Sequence, residues 1–430
     1  MIFSKKDNHL DGDIFAALDI GSSKVSCTIA RLNKQYKDNI AVASVKPMET
    51  IRVLAAASQI SQGVKNGVIT DMESLEDSIL NAVHNAEQMA QININKVYVN
   101  LPTEILHSEF QKTEVSLYQK PVTSDFLSRS LKINSNNISH STKQLISVYP
   151  TKYSVDDNRG IKDPVGIMGD KLEIESHLIY ASSTYVNNLL VCIGKCHLDI
   201  ASFVPSPQAV GLSTLVADEL ELGAIIVDIG GSSTSISAFI EGNLCYFSHI
   251  PIGGINVTYD IARGLATPIN QAERLKTLYG TLIQSSSDER ENILVTQMGE
   301  EQSAYANHIP KSFLTKIIRA RVEEIIEIIA SKINHELKNS LFFQRLVITG
   351  GSSQIQGIRD LATSIIGRPA RLGYPQGITG VGELIQTPAF ATSAGILNYA
   401  LQDFLQIKNN RLMNVNKTPF FKKISKWLND

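Results

Sequence analysis

One unit of sequence occurs twice in this chain, half a chain apart: FAALDIGSSKVSCTIA at 15–30 and AIIVDIGGSSTSISAFIEG at 224–242. Each is an apolar strand ending in Asp, then Ile-Gly, a tight Gly/Ser turn, and a second strand rich in β-branched residues. A bare Asp-Ile-Gly match is common by chance. Whole strand–Asp–turn–strand units at the heads of two α/β blocks are not, and they predict two similar domains facing one another. The chain is long enough for both, with 430 residues of which 43% are hydrophobic and 19% charged.

Around the two units the pattern is α/β. FAALDIG, VSCTIARL and NIAVASVKPM read as three strands. Thr70-Asp71-Met72-Glu73 has capping-box spacing, with Thr70 at the cap, and Leu75, Ile79, Val83 and Ala86 then recur at helical intervals. KVYVNLP resumes strand character. From 97 to 167 strands such as LISVYPTKYSV alternate with Ser/Asn-rich segments and end in the turn-like DPVG, which reads as an inserted subdomain. KLEIESHLIYAS, TYVNNLLVCIGKCHL, LDIASFVPSP and PQAVGLSTLVADELE then resume the scaffold as strand, helix, strand and helix. KSFLTKIIRARVEEIIEIIASKINHEL is a strongly periodic helix with Ile317, Ile318, Val322, Ile325, Ile326, Ile329 and Ile333 on one face.

The two turns suit a phosphate chain, which needs donors without bulk: Gly21, Ser22, Ser23 and Lys24 form one jaw, and Gly230, Gly231, Ser232 and Ser233 the other. Asp19 and Asp228, at the strand ends, would hold Mg²⁺ through its retained waters. A third candidate is RLVITGGSSQIQGIRDLA, in which Gly350, Gly351 and Ser352 join an apolar strand to a helix beginning near Gln356 and let a purine or ribose approach the backbone. Cys192, Cys196 and His197 have a metal-like spacing, but they fall in an apolar helical stretch and read as buried side chains. With Cys27 and Cys245 they are too scattered for a disulfide framework.

Strand–turn–strand twice, followed by a late strand–Gly-Gly–helix, resembles the actin/DnaK-chaperone/sugar-kinase superfamily. Within it, GVITDMESLEDSILNAVHNAEQMA, VYPTKYSVDDNRGIKDPVG, HIPIGGINVTYDIARGLATPINQAERLKTLYG and AFATSAGILNYA are similar to the FtsA family of bacterial cell-division proteins, over roughly residues 14 to 400. The resemblance implies an α/β, actin-like two-domain fold with duplicated ribonuclease-H-like cores, an inserted subdomain and a C-terminal amphipathic helix. It implies ATP and Mg²⁺ in the cleft, with Glu273 and Lys276 beside the adenosine. It further implies end-to-end polymerisation through the inserted subdomain, docking of the FtsZ C-terminal peptide on the smaller subdomain, and contact with other division proteins. The corresponding divisions are 1–96 with 168–210 (first domain), 97–167 (insertion), 211–280 with 341–402 (second domain), 281–340 (small subdomain), 403–417 (linker) and 418–430 (amphipathic helix).

Two departures bear on catalysis. Related ATPases read Asp-x-Gly-Gly-Gly-Thr-x-Asp at the second phosphate motif, whereas this chain has Ser232 for the third Gly and Ser235 for the final carboxylate. Ser235 cannot act as a carboxylate base, and SPQAVGL lacks the Glu that chaperone relatives carry. Binding should survive better than hydrolysis, so the chain is at most a slow ATPase and no catalytic residue is assigned. A sugar or acetate kinase would need a catalytic carboxylate in a substrate pocket, for which no candidate stands out. A pilus-assembly actin homologue would not need the basic tail.

That tail, NKTPFFKKISKWLND, follows the polar segment IKNNRLMNVN. Pro419 suits a helix's first turn, and Phe420, Phe421, Ile424, Trp427 and Leu428 fall within an arc of about 120° opposite Lys422, Lys423 and Lys426. An apolar stripe with tryptophan, faced by lysines, predicts a helix lying on an anionic membrane. No run approaches a spanning helix and the N-terminus carries no signal-peptide pattern, so the protein is expected to stay in the cytosol. With the tail, the resemblance implies the cytoplasmic face of the inner membrane at the division site. With 40 basic against 42 acidic residues, no broad cationic surface for nucleic acid is expected.

Overall fold

The structure, a computed structural model, describes residues 14–33, 51–136, 142–285, 288–299, 307–337, 343–380 and 383–416. The strand expected in NIAVASVKPM and the amphipathic helix expected at 418–430, with Phe420, Phe421, Lys422, Lys423, Ile424, Lys426, Trp427 and Leu428, lie outside the described residues.

The chain opens with β1 (Ile14–Ile20), β2 (Lys24–Leu32), β3 (Ile51–Ile60), the short hairpin β4 (Val64–Lys65) and β5 (Val68–Ile69), helix α1 (Met72–Ala90) and β6 (Lys96–Leu101). An inserted unit follows: β7 (Leu106–Ser116), α2 (Ser124–Asn136), β8 (Lys143–Val155), β9 (Asn158–Ile161) and β10 (Lys171–Ser182). Then come α3 (Ser183–Lys195), β11 (Asp199–Pro205), α4 (Ser206–Thr214) and α5 (Ala217–Leu222). The second lobe contains β12 (Ala224–Ile229), β13 (Thr234–Ile240), β14 (Asn243–Ile250), α6 (Gly254–Gly264) and α7 (Ile269–Tyr279). It continues with β15 (Asn292–Val295), β16 (Asn307–Pro310), α8 (Lys311–Glu336), β17 (Arg345–Thr349), α9 (Ile358–Ile366) and β18 (Ala370–Leu372). The chain returns to the first lobe with β19 (Ile378–Gly380) and α10 (Ala391–Asn416).

The two main sheets have orders β11-β6-β1-β2-β3-β19 and β14-β13-β12-β17-β18. In each, the strand that ends in Asp pairs antiparallel with its hairpin partner and parallel with a later strand, β6 beside β1 and β17 beside β12. Burial on both faces explains why these strands read as continuous apolar runs. Leu18 of β1 packs with Leu75 and Ile79 of α1 and Leu189 of α3, whereas Phe15 and Ala17 point the other way, onto Ala394, Leu397 and Leu401 of α10. In β12, Ile225 and Val227 face α6 and α8, while Ile226 joins the core of the first lobe.

Several expectations need correction. The helix cap of α1 is Asp71, whose carboxylate accepts from the Glu73 and Ser74 amides at 3.1 and 3.3 Å, while the Thr70 hydroxyl donates to Gly63 O. The insertion runs between the end of β6 and the start of α3, and its sheet has the order β7-β10-β8-β9. Residues 97–101 belong to β6, because Tyr98 and Val99 pair with Ala17 and Leu18. KLEIESHLIYAS belongs to the insertion instead of the resumed scaffold: it forms β10 and pairs along its length with β7 and β8. Leu172 and Ile174 of β10 share a small separate core with Leu117, Val122 and Val155, against which Phe126, Leu127 and Leu131 of α2 pack. PQAVGLSTLVADELE breaks into α4 and α5 at Leu215, whose backbone is extended.

The last two elements are also placed differently from expectation. β19 pairs with β3, and α10 packs on β1, so the chain from 378 onward belongs to the first lobe instead of the second. The linker expected over 403–417 is helical to Asn416, in a stretch that contains no Gly or Pro to stop it. α8 buries Leu314, Ile318, Val322, Ile325, Ile326, Ile329 and Ile333 in the same cluster as β12 and β17, with Ile317 half-buried, so it shares the second lobe's core. Among the described residues no helix is long and apolar enough to cross a membrane.

Candidate functional site

The two hairpin turns have the same geometry. Ile20 pairs with Val25 and Ile229 with Thr234; the Gly21 amide donates to Lys24 O at 3.0 Å, and the Gly230 amide to Ser233 O at 2.9 Å. The turns meet across the cleft: a Cβ on Gly231 would lie 2.8 Å from Cβ of Ser23, so only glycine fits there. The third turn joins them. Ser352 Oγ donates to Gly230 O at 3.0 Å, and Gly350, at φ 90°, leaves room for Asp228, whose Oδ1 would be 2.2 Å from a Cβ at that position. Gly350 therefore combines a backbone that favours glycine with a close approach that requires it. Gly351 adjoins the same turn and is exposed.

The charges sit beneath these turns. Asp19 and Asp228 are the penultimate residues of β1 and β12, and Lys24 begins β2. Burial pushes the Asp19 carboxyl above its usual range, against the pull of Lys24 and of the hydrogen bond from Ser393 Oγ at 3.0 Å. Burial likewise pushes Lys24 down, opposed by Asp19 and Asp228. Asp228 is pushed up to about 7, by burial first and then by Asp19 and Glu104, with Lys24 opposing. The lysine is fixed by two further contacts: Nζ donates to Ala389 O at 2.7 Å and lies 3.6 Å from the centre of the Phe390 ring.

Glu273 and Lys276 lie on α7. Lys276 Nζ is 2.7 Å from Glu273 Oε2 and donates to Gly254 O at 3.1 Å and Thr258 Oγ1 at 2.9 Å. Gly254 opens α6, and the amides of Gly254 and Ile255 donate to the Gly230 and Gly231 carbonyls at 3.0 and 2.7 Å. The pair on α7 is thus connected to the second turn through the start of α6. Ser22 Oγ accepts from the Gly67 amide at 3.1 Å, which ties the first turn to the β4–β5 hairpin.

The structure therefore brings all three turns, both aspartates, Lys24, Glu273 and Lys276 to one place. It also adds residues that the sequence reading missed. Ser393 comes from the first turn of α10, and Ala389 and Phe390 from the short 3₁₀ turn (Pro388–Phe390) that leads into it, together the head of α10. Gly253 packs under the second turn with no space for a Cβ, and Glu104 sits at the root of the insertion against Gly67. Gln208, in the first turn of α4, keeps a buried Oε1 without a partner, as does the hydroxyl of Ser232. The strings AFATSAG, HIPIGG and SPQAVGL mark the segments that carry Ser393, Gly253 and Gln208, but nothing in them singles out those residues. Cys192 and Cys196 are buried against α1, where their thiols donate to Met72 O and Glu76 O, and burial pushes them up to about 11 and 12.

In chemical terms the cleft offers small-residue turns with backbone and hydroxyl donors, hard carboxylate oxygens for a cation such as Mg²⁺, and one amine. Ser235, paired with Asp228 across the second hairpin, supplies no carboxylate.

Comparison with known proteins places this architecture. The profile described as cell division protein FtsA matches residues 225–395, and that described as SHS2 domain inserted in FTSA matches residues 104–180, inside the bounds of the insertion between β6 and α3. The cell division protein FtsA of Rhizobium meliloti (strain 1021) is 36% identical over 386 residues, covering 90% of this chain and 87% of that protein. The protein of the same name from Escherichia coli (strain K12) is 26% identical over 428 residues, covering 97% and 98%. Among solved structures, the PilM-PilN type IV pilus biogenesis complex superposes with a TM-score of 0.61 at 16% identity, covering 90% of this chain and 98% of that one. MreB5 of Spiroplasma citri bound to ADP gives 0.54 at 14% identity, covering 92% and 99%. At those identities the likeness is one of fold, and the fold is actin-like. Two duplicated hairpins, an insertion of the matching kind and a relative 36% identical over nine-tenths of the length agree: the chain belongs to the FtsA family of cell division proteins.

Proposed function

We propose that the cleft binds Mg-ATP and that the protein assembles end to end and ties FtsZ polymers to the cytoplasmic face of the bacterial inner membrane at the division site. The observation that carries the nucleotide reading is the convergence of three small-residue turns, remote in sequence, on one buried and one half-buried carboxylate and one lysine. The residues fit the ligand. Asp228 accepts no hydrogen bond from the described residues, Ser232 Oγ is buried without a partner, and glycine keeps the space beside both turns open. MreB5 of Spiroplasma citri, of the same fold, has been solved with ADP and with AMPPNP.

In this reading Gly21, Ser22, Ser23 and Lys24 face the phosphates from one side and Gly230, Gly231, Ser232 and Ser233 from the other. Asp19 and Asp228 hold the waters of Mg²⁺, and Gly350, Gly351, Ser352, Glu273 and Lys276 border the adenosine. Bound Mg²⁺ neutralises phosphate charge. Gln208 can orient a water but cannot take its proton, and Ser235 does no better, so hydrolysis is slow.

Membrane attachment rests on the tail pattern. Each large apolar residue of the stripe contributes roughly 1.5–3 kcal/mol on burial and each lysine about 1 kcal/mol near an anionic leaflet, against the cost of ordering a short helix. One tail binds moderately, and an assembly presenting many binds tightly. Family membership supports FtsZ and other division proteins as partners.

Pelleting of the full chain with anionic liposomes, ATP and FtsZ tests this reading. The protein should carry FtsZ into the pellet. Trp427→Glu, or Lys422→Glu with Lys423→Glu, should leave both in the supernatant with ATP binding intact. Sedimentation of these variants at the wild-type level would refute the anchor.

A further inference from the structure

The head of α10 lies against the first turn, although α10 is the last described element and leads towards the tail. Ser393 is 374 positions from Asp19 in sequence, yet its hydroxyl donates to Asp19 Oδ2 at 3.0 Å in a setting where both side chains are at least nine-tenths buried. A carboxylate that accepts one donor on one oxygen is biased towards that contact and keeps its other oxygen available. Four and three residues earlier, the Ala389 carbonyl and the Phe390 ring hold the Lys24 amine at 2.7 and 3.6 Å. Lysine has a flexible four-carbon stem, so these contacts decide where its charge sits.

The helix that supplies these contacts has little freedom to slide. A Cβ on Gly395 would lie 1.8 Å from the Ala209 carbonyl, so α10 touches α4 backbone to backbone there. Ser213 Oγ donates to Ala391 O at 2.7 Å, and Ala394, Ile396, Leu397 and Ala400 are buried against β1 and β3. The same segment reaches the third turn, where Ala389 Cβ is the nearest neighbour of the space beside Gly351.

We propose that the head of α10 positions the charge pair of the nucleotide cleft, Ser393 acting through Asp19 and Phe390 through Lys24, so that nucleotide binding and the seating of α10 are coupled. This rests on the reading of the cleft as a Mg-ATP site. Binding free energies are reciprocal: if α10 places the groups that grip the phosphates, a bound phosphate chain must hold α10 more firmly. The ligand state of the cleft is thereby felt at the start of the helix that leads towards the membrane tail.

The test compares Mg-ATP with adenosine, which lacks the phosphates that Asp19 and Lys24 serve. In the full chain, Ser393→Ala should weaken Mg-ATP binding about tenfold, the equivalent of one hydrogen bond to a charged group, and leave adenosine affinity unchanged. Phe390→Leu tests the same claim through Lys24 and should weaken Mg-ATP binding roughly threefold to tenfold, again sparing adenosine. In the wild type, Mg-ATP should slow hydrogen exchange of the amides in the first two turns of α10, and Ser393→Ala should abolish that slowing. Equal losses for adenosine and Mg-ATP would mean that the head of α10 only packs, and unchanged exchange in the wild type would remove the coupling; either overturns the inference while leaving the cleft assignment intact. A wild-type chain that binds adenosine and Mg-ATP equally weakly would overturn both readings.

Discussion

The hairpins β1–β2 and β12–β13 have one backbone and two chemistries. Both place Asp five positions before the residue whose carbonyl accepts from the turn glycine, and both pair that Asp with a serine, Ser26 in one and Ser235 in the other. At the position where the first hairpin has Lys24, the second has Ser233. The first carboxylate is tied by Ser393 and Lys24, whereas the second accepts no hydrogen bond from the described residues and is pushed up to about 7. Duplication thus fixes geometry, and single substitutions on the copied frame divide the work. One side has the cation and a tethered acid; the other has an acid left to be satisfied by a ligand.

The largest effect on this comparison is expected at Gly350, which touches only the second carboxylate. Gly350→Ala would place a Cβ 2.2 Å from Asp228 Oδ1 at φ 90°. Chemical denaturation should show a loss of about 3 kcal/mol from backbone strain and overpacking together. An unchanged midpoint would mean that Asp228 is not confined as described.

Next in size are the carboxylates themselves. Asp19→Asn and Asp228→Asn should each weaken binding of a fluorescent ATP in Mg²⁺ by on the order of 2–3 kcal/mol through lost charge-assisted contacts. Ser235→Ala should change it by less than about 0.5 kcal/mol, the scale of a substitution away from any special contact. Asp228→Asn should not destabilise the ligand-free protein, because it removes a half-buried carboxylate that accepts no hydrogen bond from the described residues. Equal affinities across the three variants would dissolve the distinction between the hairpin acids and the serine opposite.

The smallest effect concerns what lies beyond each hairpin. β3, next to the first, pairs onward with β19, whereas β14, next to the second, ends its sheet and meets the insertion through His177. His177 Nδ1 lies 2.7 Å from Leu244 O, and since a carbonyl only accepts, that nitrogen carries the proton. Nε2 is buried without a partner, between the rings of Phe110 and Phe247. Burial holds the imidazole below its usual pKa, so the folded form stays neutral where the unfolded form takes up a proton. Stability from this group is present above the ordinary value of 6.5 and is lost as pH falls through and below it. A melting temperature that drops by roughly 1–2 °C more in the wild type than in His177→Gln between pH 7.5 and about 5.5 is expected. Parallel curves would show that this contact does not titrate.

Much of the cleft was legible in the sequence because each turn is local: strand, Asp, Gly and Ser within ten residues predict their own geometry. What joins the turns was not legible. Ser393, Phe390 and Glu104 reach the cleft from elements whose own patterns show only helix core or strand ends. Boundaries failed where the period could not tell one sheet from another. β6 and β10 both read as strands, and only pairing assigns the first to the lobe and the second to the insertion. The return of β19 and α10 to the first lobe likewise depends on contacts with Ile51 and Phe15 that no local rule contains.

The account's central claim is that three turns form one nucleotide cleft. Hydrogen exchange of the full chain with and without Mg-ATP, read by mass spectrometry over residues 20–24, 229–234 and 349–353, tests it most directly. The account predicts slowed exchange in all three segments at a common half-saturating ATP concentration, with the effect lost in Asp228→Asn. Slowing in only one segment, or in none while ATP binds elsewhere, would contradict it.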